Sequence, residues 1–299
     1  MRNQFIETTA QLMDERPDVA VVLADIGVTR FIETGMIDRH PDRIVNVGIR
    51  EQLMIGVAAG FALEGFKPIA HSYTPFLVER PFEQIKLGFA HQGVDGVLVS
   101  IGSSFDASSE GRTHQAPEDV ALISSLPGWS VMAPGHADET AALLRDAVET
   151  SGSSYIRLAD DTNREAHITP PGQFAVVRQS TNAAPLVIAV GPMLDPTMEA
   201  TRNIDATVLY ASTIRPFDAH TVAQHIGSGE VVIVEPYLEG TSASEAAEAL
   251  ISTPHRLLSI GVPKGELRNY GSAKEHRVAH GLDAVGLAKR IDSFVTSVA

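Results

Sequence analysis

The chain has 299 residues, of which 44% are apolar and 20% charged; it can bury roughly 75% of its unfolded surface, in one large domain or two ordinary ones. Asp and Glu number 37 against 23 Lys and Arg, a formal net charge of −14. That sign repels phosphate backbones and anionic lipid, which excludes nucleic acid and membrane surfaces as general partners but not a small anion held by a few local cations. There is no cysteine, which removes disulfides, thiolate zinc and a catalytic thiol, and a cytoplasmic chain is expected. The longest uncharged, mostly apolar stretch, residues 53–63, is too short to span a bilayer. Residues 1–7 lack the apolar core of a signal peptide.

Phe5, Thr9, Leu12 and Met13 share one helical face, and Pro17-Asp18 then breaks the pattern. Residues 19–24 form a continuous apolar run, as in a strand buried on both faces of a parallel sheet. Similar strands are expected at 44–47, 97–101, 129–132 and 155–158, with helices over 51–64, 82–91, 117–126 and 137–150. Pro117 followed by Glu118 and Asp119 is a good helix start. Residues 160–185 carry Pro170-Pro171-Gly172 and a polar run from Arg178 to Asn182, and read as a linker around a short extended piece. A second alternation follows, with strands expected at 186–190, 207–210, 231–234 and 256–260 and helices near 196–202, 242–251 and 283–298. The pattern means two consecutive α/β domains, each with a mainly parallel sheet flanked by helices, divided near residue 175.

Several stock sites are absent. There is no G-x-G-x-x-G after the first strand, no G-x-x-x-x-G-K-[ST], no G-x-S-x-G and no H-E-x-x-H, and the eleven histidines show no metal-ligand spacing. Two constellations remain. In the first, Val45-Asn46-Val47 ends at Gly48, and Arg50-Glu51 stands where the next helix begins, followed by the small residues Gly56, Ala58, Ala59 and Gly60, which would let that helix pack closely on the sheet. Glu51 falls beyond the carboxyl end of a strand, where open α/β sheets bind ligands, although it could equally complement the helix dipole. The second is a Gly/Ser-rich loop from Gly102 that ends with Glu110, Arg112, His114 and Gln115. Loops of that length in compact domains are functional or mobile.

At these residues the chain resembles a family. Gly48-Ile49-Arg50-Glu51-Gln52 is similar to the G-I-R-E-[HQ] segment of transketolases and 1-deoxyxylulose-5-phosphate synthases, and Glu110-Gly111-Arg112-Thr113-His114-Gln115 to their [DE]-G-x-T-H-Q segment. Thr74-Pro75-Phe76-Leu77 resembles the T-F-L segment between the two, Leu23-Ala24-Asp25 the A-D segment after the first strand, and Val231 to Glu235 part of the C-terminal domain. Family enzymes of full length begin with a further domain that binds the diphosphate and Mg²⁺ of thiamine diphosphate through G-D-G…N. No G-D-G occurs here, and Val94-Asp95-Gly96 is the nearest approach. The resemblance therefore implies the C-terminal half of a split transketolase: a pyrimidine-binding domain over 1–170, a linker over 171–184 and a C-terminal domain over 185–299.

The resemblance also implies roles. Glu51 would hydrogen-bond N1′ of the cofactor's aminopyrimidine and act as its general acid/base, Phe76 would stack on that ring, and Asp25 would lie near it across a dimer interface. The cofactor would serve as electron sink for transfer of a two-carbon ketol unit. His114 and Glu110 match sugar-contacting residues, with Arg112 beside them as a further substrate contact. No metal ligand is expected in this chain: Mg²⁺ would be held mainly by a partner subunit carrying the diphosphate domain, in an α2β2 assembly inactive without it.

Two departures bear on substrate. Gly102 stands where the family usually has histidine, and Asp160 where an arginine commonly binds substrate phosphate, so a phosphate ester would meet repulsion there. Arg157, Arg112, Arg80 or Arg30 could restore the positive charge. The alternatives are a β subunit of a 2-oxo acid dehydrogenase decarboxylase component, a deoxyxylulose-phosphate-synthase-like enzyme, and a catalytically silent scaffold of the same fold.

Overall fold

Apolar runs become the interior strands of two stacked α/β units. In the computed structural model, which describes residues 1–297, the strands are β1 (Val19–Leu23), β2 (Ile44–Asn46), β3 (Lys67–Tyr73), β4 (Val97–Ile101), β5 (Trp129–Met132), β6 (Ser153–Arg157), β7 (Ala175–Arg178), β8 (Leu186–Val190), β9 (Thr207–Ala211), β10 (Thr213–Arg215), β11 (Glu230–Leu238) and β12 (Arg256–Val262). The first sheet has the order β10-β5-β6-β4-β3-β1-β2 and the second β12-β11-β8-β9-β7. All neighbours are parallel except β10 on β5 and β7 on β9. The expected α/β class and mainly parallel sheets are observed. Val298, the expected end of the last helix, lies outside the described residues; that helix runs Ala284–Thr296.

Alternate side chains sort onto the two faces of the first sheet. Val22, Ala70 and Leu98 pack with Met54, Ile55 and Ala58 of the helix Glu51–Leu63. Val21, Ile69 and Val99 pack with Phe5, Leu12 and Leu144 from the helices Arg2–Glu15 and Ala137–Glu149. Among the described residues, no helix is long and apolar enough to cross a membrane.

The structure departs from the sequence expectations in four places. β3 was not expected, because Lys67, Pro68, His71 and Ser72 interrupt its apolar pattern; all four are buried. Lys67 Nζ donates to the carbonyls of Thr150 and Gly152, and His71 Nδ1 meets Val99 O at 2.8 Å. The expected helix over 82–91 is α-helical only at Phe82–Ile85 and widens to π geometry over Lys86–His91. The short extended piece expected within residues 160–185 is β7, but it pairs into the second sheet, and β10, from the second half of the chain, pairs on the first sheet. Gly56 and Gly60 do not pack on the sheet: a Cβ at either would have open space, and Ala58 and Ala59 make the contact instead.

The two units meet through a buried polar cluster. Arg157, 1% exposed at the end of β6, donates through Nε to Asp119 Oδ2 at 2.7 Å and through Nη2 to Ser104 Oγ at 2.5 Å. Ser104 Oγ donates in turn to Pro236 O of β11, and Tyr155 Oη donates to Asp119 at 2.6 Å. Removing one member of a buried ion pair leaves the other charge uncompensated. Asp119→Ala is therefore expected to cost about 3–5 kcal/mol, read as a lowered urea midpoint, and adding Arg157→Met is expected to recover much of that loss. A loss below about 1 kcal/mol would show that the pair behaves like an exposed one.

Candidate functional site

In the first sheet β1, β3, β4 and β6 are adjacent and parallel, so their carboxyl ends open on one edge. Chain direction switches between β1 and β3, since β2 lies on one side of that pair and β4 on the other. A crevice at such a switch point is the expected ligand site of an open α/β sheet. The segments after β1, β2, β3 and β4 carry Asp25, Glu51, Phe76 and His114.

Glu51 is the first residue of its helix and 4% exposed. Arg80 Nη1 donates to Glu51 Oε1 at 3.0 Å. The same guanidinium lies over the Phe76 ring, 3.9 Å from its centroid. Phe76 sits in the π turn Pro75–Glu79, and its ring stands edge-on to the His114 imidazole at 4.9 Å. The buried carboxylate and the aromatic face thus address one planar, nitrogen-bearing group, and Arg80 plays that part here. A flat heteroaromatic ring with a hydrogen-bonding ring nitrogen fits the same two contacts.

Asp25 is exposed, with φ +70°, and lies at the end of β1 against Asn46. Asn46 ties the two strand ends together: its Oδ1 accepts from the amides of Asp25 and Gly48, at 2.9 and 3.1 Å. His114 contacts Thr113 Oγ1 through Nδ1, and among the described residues its Nε2 makes no hydrogen bond. Glu110 is exposed and faces a different space, a cavity of about 250 Å³ that it shares with Tyr73, Gly102, Asp106 and Asp160.

Sequence reasoning placed Arg112 on the substrate; the structure commits it to the protein. Its guanidinium pairs with Glu118 at 3.2 Å and with Glu266 at 3.3 Å. The other arginines considered as phosphate ligands are also engaged. Arg157 is buried on Asp119, the exposed Arg80 pairs with Glu51 over the Phe76 ring, and Arg30 pairs with Glu33 on the surface. Tyr73 went unread: it precedes the Thr74-Pro75-Phe76 segment and was hidden with β3. Arg80 was considered only as a phosphate ligand, and its place on Glu51 and Phe76 is recognisable only by what it touches. Among the described residues no group of three or more His, Asp and Glu side chains could hold a metal ion.

Asp106 also went unread. Burial first, and the charge of Asp160 second, push its carboxyl up to about 7 from an ordinary 3.8. The folded chain thus holds a proton that the unfolded chain has released, so this contribution to stability is full below the unfolded pKa and lost as pH rises through about 7. Asp106→Asn cannot ionise and lacks that slope. Its stability relative to wild type is expected to rise by a few kcal/mol between pH 4.5 and pH 8, levelling above 7, in urea titrations at stepped pH. Parallel pH profiles for the two proteins would contradict it.

Residues 1–164 match the transketolase pyrimidine-binding domain family. The chain is 46% identical to an uncharacterized 33.6 kDa protein of the fasciation locus of Rhodococcoides fascians, over 99% of this chain and 95% of that one. It is 29% identical to an apulose-4-phosphate transketolase subunit of Actinobacillus succinogenes, over 95% and 94% of the two chains. The 1-deoxy-D-xylulose-5-phosphate synthase of Paraburkholderia xenovorans is 28% identical over 89% of this chain, which spans only 44% of that protein. A solved split-gene transketolase, described as an inactive β4 tetramer, superposes with a TM-score of 0.85 at 25% identity, over 99% and 98% of the two chains.

Proposed function

Because the chain belongs to the transketolase family, we propose that it is one subunit of a split, cytoplasmic, thiamine-diphosphate-dependent transketolase. In this reading it moves a two-carbon ketol unit between sugar substrates only when joined to a separate diphosphate-binding subunit. Its pyrimidine-binding and C-terminal domains divide within residues 171–184. The observation that carries the reading is the pair formed by Glu51 and Phe76, already bridged by one planar cation at 3.0 and 3.9 Å. The aminopyrimidine of thiamine needs those same two contacts, so Arg80 must swing aside to admit it.

When bound, the cofactor supplies a nucleophilic carbon and an electron sink for breaking and making the carbon–carbon bond. Glu51 holds or moves a proton at the ring nitrogen N1′, as a buried general acid/base. Phe76 fixes the plane of the ring, and Asp25 lies near it at the subunit interface. His114, with its free Nε2, donates to the substrate carbonyl oxygen as negative charge develops there, and Glu110 accepts from sugar hydroxyls. Arg112 acts on the substrate indirectly, by bracing the loop that carries both. Mg²⁺ and the diphosphate fall to the partner subunit. One relative of nearly equal length is named as a single subunit of a transketolase, and a structural neighbour as an inactive tetramer of one subunit type; both support this division of labour.

The surface beside Glu51 supports an assembly with two copies of this chain. Leu53 is 45% and Leu63 58% exposed, with Gly56 and Gly60 open between them on one face of the helix. Such an apolar stripe beside a site is suited to helix-on-helix contact. Leu53→Glu is expected to abolish self-association in sedimentation while leaving the circular dichroism of the chain unchanged. Retained association would move the interface elsewhere.

The test of the proposal is calorimetric titration of thiamine diphosphate and Mg²⁺ into this chain, alone and mixed with a candidate diphosphate-binding subunit. Binding in the mixture only, followed by ketol transfer from a ketose donor, is expected. Glu51→Gln is expected to leave assembly intact and to lower turnover by about 10²–10⁴-fold. Tight binding to the chain alone, or turnover of 2-oxo acids in place of ketoses, would overturn it.

A further inference from the structure

Tyr73 ends β3 and belongs to two places at once. One edge of its ring faces His114 and Phe76, with centroids 5.8 and 6.1 Å away. The ring also lines the cavity of about 250 Å³ that holds Gly102, Asp106, Glu110 and Asp160, with Arg2 at its wall. Tyr73 is thus the partition between the ring-binding contacts and this second chamber.

Gly102 explains how the partition fits. Its φ of +70° is the left-handed conformation that favours glycine, and a Cβ there would overlap the Tyr73 ring. Position 102 and the tyrosine compete for one volume, and the tyrosine has it. An aromatic wall has replaced a side chain on the loop.

The charge of the chamber is equally specific. The carboxylates of Glu110 and Asp160 and the Asp106 carboxyl, which keeps its proton up to about pH 7, line it with one guanidinium, that of Arg2, and the Met1 ammonium acts on Asp160. Arg2 forms no ion pair among the described residues, and its Nε is buried without a hydrogen-bond partner. Of the arginines outside the chamber, Arg157 is held by Asp119 and Arg112 by Glu118 with Glu266. A dianionic phosphate placed between Glu110 and Asp160 would meet their carboxylates at short range, with Arg2 the one arginine among the residues that line the chamber. Sugar hydroxyls meet the opposite situation: carboxylate oxygens accept from them, and the Tyr73 ring offers an apolar face to carbon-bound hydrogens.

We infer that this chamber takes the distal end of a hydroxylated, phosphate-free substrate, with Tyr73 as the residue that sets its wall. The inference names the substrate class of the site proposed above and rests on that reading only for the word substrate. The chamber and its charge belong to this chain alone.

Saturation-transfer difference NMR on the full chain tests it without turnover, using ribitol and ribitol 5-phosphate as probes. The wild type is expected to transfer saturation to the carbon-bound protons of ribitol and about tenfold less to those of the phosphate, a difference worth about 1.4 kcal/mol. Tyr73→Ala is expected to lose the ribitol signal and Tyr73→Phe to keep it. Asp160→Arg is expected to bring the phosphate probe up to at least the level of ribitol. Equal or stronger transfer to ribitol 5-phosphate in the wild type, no transfer to either probe, or an unchanged signal in folded Tyr73→Ala would each overturn the inference. Because cofactor binding in the subunit mixture is a separate measurement, the substrate class can fail while the transketolase reading stands, and the reverse.

Discussion

The Arg157 guanidinium is the point on which the site depends. A buried, fully charged group tolerates few arrangements, because each unpaired donor costs far more than a lost surface contact. Its two strong partners, Ser104 and Asp119, are the two ends of the loop that carries Glu110 and His114. Ser104 has a positive φ of 51° and bridges to Ala116, a conformation that persists only where surroundings over-determine it. One cation therefore fixes both ends of a long loop and leaves its middle to face substrate. The same serine reaches Pro236 in the second unit, so the clamp is also the joint between the units.

The second unit serves the site without contributing a reacting group. Residues 266–271 line up along the loop from outside. Glu266 pairs with Arg112, and the carbonyls of Asn269 and Gly271 accept from Gln115 and Ser108. The Tyr270 ring lies where a side chain at Gly111 would stand, 2.8 Å from a Cβ built there. Arg112 is consumed in this brace. A loop held at its ends by Arg157 and along its length by this segment keeps its side chains placed at little entropic cost when ligand arrives, which is the usual advantage of preorganisation.

Much of this was legible in the sequence, and the exceptions have physical causes. Apolar runs such as 19–24 and 97–101 became interior strands because a parallel sheet buries both faces. β3 was invisible because Lys67 and His71 find their partners far along the chain, the carbonyls of Thr150 and Gly152 for Lys67 and that of Val99 for His71. β10 is three residues long and exists only through its pairing with β5. Glu51, Phe76 and His114 were readable as motif positions, and the structure brings them together through Arg80 and the Phe76–His114 contact. Arg80 itself carried no local signal, since a surface arginine and one stacked on a phenylalanine are written alike. The error at Gly56 and Gly60 was avoidable: Met54, Ile55, Ala58 and Ala59 mark the sheet-facing stripe at helical spacing, and the glycines fall off it.

The net charge of −14 and the arrangement of arginines bear on the proposed division between two subunits. Three arginines near the crevice are already paired: Arg157 with Asp119, Arg112 with Glu118 and Glu266, and Arg80 with Glu51. What remains on the chain's own surface is suited to flat rings and hydroxyls, through Phe76, Tyr73 and the carboxyl groups around Gly102. A diphosphate tail requires the opposite, concentrated positive charge or a divalent ion held by acids and carbonyls. Of these two chemistries, this chain builds only the first. On the transketolase reading proposed above, the missing half comes from the separate diphosphate-binding subunit. Only one arginine, Arg80, then needs to move for the two halves to share a cofactor.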